Sequence, residues 1–239
     1  MASPHTVRSY DDELEALRAC LSRMAGLAES QLHQSVSALM ERDTDLAARV
    51  INQDKKLDDL EIEAEERAVG IIARRSPLAD DLRELIAAIK VASALERIGD
   101  YAKNIAKRTT ALARSMPHIQ LSVLPEMADD VRRRLPEVLN AMFDRDSTRA
   151  LEIRAQDARV DMLYDSLFRE LLTYMMEQPQ LITVCTHLLF IAKNIERMGD
   201  QVSNIAELAY YVAEARVVDE MPAAAISSVH TSQRLPEDP

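Results

Sequence analysis

Apolar residues recur at steps of three and four through most of the chain, a helical period rather than the strict alternation of strands. The pattern predicts six helices, at about 8–41, 44–75, 78–113, 124–144, 147–177 and 180–215. Their boundaries have chemical reasons. Asp43-Thr44-Asp45 and Asp146-Ser147-Thr148 offer oxygens to cap the helices that follow. Ser76-Pro77 and Gln178-Pro179 put proline at a helix start, where its missing N–H is not needed. Pro136 falls inside the fourth helix and is expected to kink it. Met116-Pro117 through Pro125 is the longest irregular connection before residue 216 and the expected boundary between two halves, 5–115 and 120–216. Beyond them, 217–239 turns to Pro, Ala, Ser and acid, the composition of a disordered tail.

The third and sixth helices carry the sharpest apolar seams. Val91, Leu95, Ile98, Ala102, Ile105 and Leu112 form one; Ile191, Ile195, Met198, Val202, Ile205, Ala209 and Val212 form the other. Seams of this kind pack helices into bundles. The two helices are also copies. Glu96-Arg97-Ile98-Gly99-Asp100 with Asn104-Ile105-Ala106 recurs as Glu196-Arg197-Met198-Gly199-Asp200 with Asn204-Ile205-Ala206, at a fixed offset of 100. The second and fifth helices match at an offset of 103, pairing Asp54 with Asp157 and Asp58 with Asp161. The chain therefore reads as all-α, six helices forming two tandem, sequence-related three-helix bundles.

Composition supports this and removes other classes. With 4 Gly, 9 Pro, no Trp and 4% aromatics in 239 residues, a turn-rich β sandwich or barrel is disfavoured. The 40 acids against 29 Lys plus Arg argue against a nucleic-acid surface, which must neutralise phosphates. No apolar run approaches the roughly 20 residues of a transmembrane helix. The first six residues lack the charged-then-apolar pattern of a signal, so a cytoplasmic location is expected. Cys20 and Cys185 read as small buried residues, and His33 and His187 as packing or surface residues. Met175-Met176 reads as core filler, and Lys55-Lys56, Arg74-Arg75 and Arg132-Arg133-Arg134 as solvated faces. The three arginines are the least bland of these, being able to meet an acidic partner or lipid headgroups.

The duplicated acids carry the candidate chemistry. In an antiparallel hairpin, residues equidistant from the turn lie level. Positions 58 and 96, like 54 and 100, centre on residue 77; 161 with 196, and 157 with 200, centre beside Pro179. Asp54, Asp58, Glu96 and Asp100 should therefore stand at one height, as should Asp157, Asp161, Glu196 and Asp200. Gathering like charges is unfavourable and calls for a positive partner. Arg97 and Arg197 could supply it from within the chain. A hard cation (Fe, Mn, Mg or Ca) could do so from outside, with Asn104 and Asn204 as auxiliary oxygen ligands. Gly99 and Gly199 each cost about 1 kcal/mol relative to Ala in a helix interior. Close helix packing and a bound group explain them equally well.

Ser76-Pro77-Leu78-Ala79-Asp80-Asp81-Leu82-Arg83, leading to Leu95-Glu96-Arg97-Ile98-Gly99-Asp100-Tyr101-Ala102-Lys103-Asn104-Ile105-Ala106, resembles the first-repeat signature of PhoU proteins. Asn194-Ile195-Glu196-Arg197-Met198-Gly199-Asp200 to Asn204-Ile205-Ala206 resembles their second. The resemblance spans about residues 5–216 and implies a non-enzymatic regulator of phosphate uptake. Its implied partners are the phosphate ABC transporter ATPase and a membrane sensor histidine kinase, with the starvation response held off when phosphate is plentiful. It also implies metal clusters on the eight acids named above, and no organic cofactor. Ser76, where the family often has glutamine before the turn proline, and Pro136 depart from its pattern. Exposed helix faces suit a homodimer. Two other classes stand beside this reading: a carboxylate-bridged metal enzyme, which usually needs Glu-x-x-His pairs that this chain lacks, and a purely structural helical dimer.

Overall fold

The computed structural model describes residues 4–113 and 121–218, with side chains from Tyr10 onward. Most of the boundary expected between Met116 and Pro125, and the tail from Asp219, lie outside the described residues. The helices are α1 (Pro4–Glu41), α2 (Thr44–Arg75), α3 (Ala79–Leu112), α4 (Val123–Phe143), α5 (Ser147–Ala155), α6 (Asp157–Glu177) and α7 (Ile182–Glu214). A 3₁₀ turn, Pro179–Leu181, precedes α7. Among the described residues there is no strand.

Capping chemistry sets several boundaries. Asp43 accepts hydrogen bonds from the backbone N–H groups of Asp45 and Leu46, and Asp146 from that of Arg149. Ser76 ends α2 in the left-handed region at φ 48°. Pro77 then lies in the link, because α3 starts only at Ala79. Pro179 does open a helical turn, the 3₁₀ segment. The helix α4 runs uninterrupted through Pro136.

The predicted fifth helix is two. It breaks at Gln156, where N–H groups bond carbonyls three residues back instead of four: Gln156 to Ile153, and Arg159 to Gln156. Local sequence does not explain the break, because Gln53 holds the equivalent place in α2 and that helix is continuous.

Helices α1 to α3 form one bundle and α4 to α7 the second; α3 packs on α7 and α1 on α4, leaving α2 and α6 outermost. Every seam residue predicted on α3 and α7 is buried, in one core cluster that spans both bundles. Cys20 and Cys185 are fully buried, as expected, and burial pushes both thiols up. Val218, assigned by composition to the tail, is buried in the same core. A charged clamp also ties the halves. Buried Glu84 on α3 accepts from Arg18 of α1 at 2.9 and 2.5 Å and from Arg145 of the α4–α5 turn at 2.9 Å.

Two surface expectations are corrected. Met176 is 83% exposed and Met162 65%, so these two are not core filler, whereas Met175 is half-buried against the core. Arg134, read as part of a solvated face, is fully buried, held by acids on two helices.

Candidate functional site

The α2–α3 hairpin folds in the register that the bend at residue 77 dictates. Gly99 faces Leu57: a Cβ on Gly99 would stand 2.4 Å from Leu57 Cδ2 and 2.8 Å from Gln31 Oε1. Neighbouring side chains therefore explain this glycine, because no larger residue fits between α1, α2 and α3. One turn on, the Lys103 ammonium donates to buried Asp54 and, at 3.2 Å, to Asp100. The bond with Asp54 foremost pushes Lys103 up to about 12.

Among the described residues, no cation bonds the other two acids of this face. Burial first, then the Asp54 charge, raises Asp58, although Lys103 pulls the other way. Burial and the charges of Asp100, Glu61, Asp58 and Asp54 push Glu96 up to about 7. Lys103 joins Asp54 of α2 to Asp100 of α3, and Asp58 and Glu96 stand one turn away on the same two helices, so the four acids form one patch.

The second hairpin repeats the register with different chemistry. A Cβ on Gly199 would stand 3.0 Å from Asp157 Oδ1 and 3.3 Å from Arg134 Nη2. Arg134 Nη1 lies 3.3 Å from Asp157 Oδ1, and its Nε pairs with Asp130 Oδ2 at 3.1 Å. Lys193 Nζ, 5.3 Å from the Tyr164 ring centroid, donates to Glu196 Oε1 at 2.5 Å. Glu196 Oε2 is buried and has no hydrogen-bond partner among the described residues. Burial, then Glu196 and Asp157, pushes Asp200 up to about 6; burial, then Asp157 and Glu196, raises Asp161. Asp157 and Asp200 line one groove, with Asp161 and Glu196 one turn away on the same two helices, a second patch of acids.

Asn104 and Asn204 are exposed beside their patches, and Asn204 shares an open groove of about 560 Å³ with Asp157 and Asp200. Arg97 and Arg197, one of the two sources of counter-charge that the sequence offers, are exposed to solvent. Lys103, Arg134 and Lys193 take that role, and sequence reasoning missed all three. Helical spacing was the signal that could have found two of them: Lys103 lies three residues after Asp100 and Lys193 three residues before Glu196. Among the described residues, no three of Asp, Glu, His or Cys come together in a cage able to hold a metal ion. As arranged, the described residues do not fit the implied metal clusters.

The model of the PhoU domain matches this chain twice, at residues 21–109 and 124–209, one match to each bundle. The chain belongs to the PhoU family. Both acidic patches lie inside the matched segments. The chain is 47% identical over 216 residues to a protein of Zymomonas mobilis named phosphate-specific transport system accessory protein PhoU homolog, covering 90% of this chain and 91% of that one. It is 48% identical over 214 residues to the Rhizobium meliloti protein of the same name, covering 89% and 90%. The crystal structure of PhoU from Pseudomonas aeruginosa superposes with a TM-score of 0.82 at 36% identity, over 87% of this chain and all of that one. The family's fold, two domain repeats built only of helices, is the fold found here.

Proposed function

We propose that the chain is an accessory protein of a phosphate transport system and acts by protein–protein contact, not catalysis. The observation that carries this reading is the paired PhoU match, together with near full-length relatives named as such accessory proteins. In this reading it works at the cytoplasmic face as a homodimer. It links the transporter's ATPase subunit to a membrane sensor histidine kinase and keeps starvation genes off while phosphate is plentiful.

Two features support a contact role. No helix among the described residues is long and apolar enough to cross a membrane, which is compatible with meeting membrane-bound partners from outside the bilayer. The outer helix α6 also leaves Met162, Phe168, Leu172 and Met176 exposed, apolar area of the kind interfaces use. Surface-immobilised ATPase subunit, titrated with the purified chain, tests the reading. Saturable binding is expected. No binding to the ATPase or to the kinase's cytoplasmic part, with and without phosphate, would overturn it.

A further inference from the structure

The repeat register aligns the counter-ions as well as the acids. Gln31 of α1 and Arg134 of α4 occupy equivalent positions at the offset of 103. Both are fully buried, and both face the duplicated glycine, Gln31 near Gly99 and Arg134 near Gly199. At the offset of 100, Lys103 of α3 corresponds to Ser203 of α7. Each half thus has one cationic and one neutral member of this pair, in opposite places. In the first half Lys103 bonds Asp54 and Asp100 while Gln31 is neutral. In the second, Arg134 meets Asp157 while Ser203 is neutral.

We propose that Lys103 and Arg134 are resident counter-ions of the two acidic faces, standing where the family resemblance implies metal ions, and that the helix supplying the cation has been exchanged between the halves. The chemistry is one of shared oxygens. A metal ion bridging Asp54 and Asp100 would need both carboxylates that Lys103 now holds. Arg134 is sealed in the core, so it cannot leave Asp157 unless α4 and α6 separate. A buried aspartate without a cation is strongly unfavourable. Asp54 beside Lys103 and Asp130 beside Arg134 are both buried, so each half keeps a cation, and the fold tolerates either origin because both directions converge beside the glycine.

The broken helix lies at the exchanged position. The guanidinium of Arg134 is larger than the amide of Gln31, and the break at Gln156 falls one residue before Asp157, which turns its carboxylate to that guanidinium. Where Gln31 stands instead, α2 is unbroken.

Two measurements test the proposal. In the first, the protein is purified without chelator, equilibrated with Mn²⁺, desalted, and its metal counted by mass spectrometry. The wild-type chain is expected to keep no stoichiometric Mn²⁺. Stoichiometric Mn²⁺ that is lost in Asp100→Asn or Asp200→Asn would overturn the proposal. In the second, the cation is moved. Arg134→Gln lowers the thermal midpoint, and adding Ser203→Lys restores at least half of the loss. The mirror pair, Lys103→Ser followed by Gln31→Arg, behaves likewise. If Arg134→Gln alone fails to fold, a folded double variant supports the exchange. Double variants no more stable than the singles in both halves would overturn it.

Discussion

Gly99 shows how tightly a single position is constrained. Placing Ala there gains about 1 kcal/mol of helix propensity but forces a methyl into Leu57, and overpacking of that kind typically costs about 1–3 kcal/mol. Gly99→Ala should therefore lower the thermal midpoint. Gly199→Ala should lower it less, because its neighbours are the tips of Asp157 and Arg134 at ordinary to tight separations. Differential scanning calorimetry of both variants checks the order. Glu96 gives a second test at this scale. Its carboxyl is pushed up to about 7, so the folded chain holds this proton more firmly than the unfolded chain. The stability tied to it is present at acidic pH and is lost as pH rises from the usual carboxylate range through about 7. Glu96→Gln should remove that slope and be more stable than wild type at pH 8, with the gap closing toward pH 5. Urea denaturation across that range measures it; a pH-independent difference would contradict the assignment. The acids at these sites were legible in the sequence because a hairpin's register is simple arithmetic. Of their counter-ions, Lys103 and Lys193 sit at helical i,i+3 spacing from acids of the same helix, but Arg134 comes from a helix outside the hairpin, and a run of three arginines looks solvated until its third member is seen between Asp130 and Asp157.

At the scale of elements, boundaries came from caps and the break did not. Asp43 and Asp146 cap the helices that their sequence positions predict. By contrast, Asn52-Gln53-Asp54 and Ala155-Gln156-Asp157 are similar locally, yet only the second interrupts its helix. Tertiary context decided, and a periodicity has no access to it. The consequence is measurable by hydrogen exchange. Amides around Gln156, bonded three residues back, should exchange faster than those around Gln53, inside an unbroken helix. Equal protection at the two places would mean that the helix is continuous in solution. The clamp at Glu84 was equally invisible in the sequence, since its partners Arg18 and Arg145 lie 66 and 61 residues away.

For the whole molecule, the duplication and the two seams were enough to predict the all-α fold and the paired bundles. They did not predict how the bundles join. The contact of α3 with α7 and of α1 with α4 merges two repeats into one core, which leaves α2 and α6 as the outer faces. The exposed methionines of α6 lie on such a face, where a partner can reach them. The central claim is that this molecule serves phosphate transport by contact, and gene expression tests it most directly. Cells lacking the gene, grown with abundant phosphate, should express their phosphate-uptake genes without restraint, and the full chain supplied in trans should restore repression. Uptake genes that stay repressed in the absence of this protein would contradict the account.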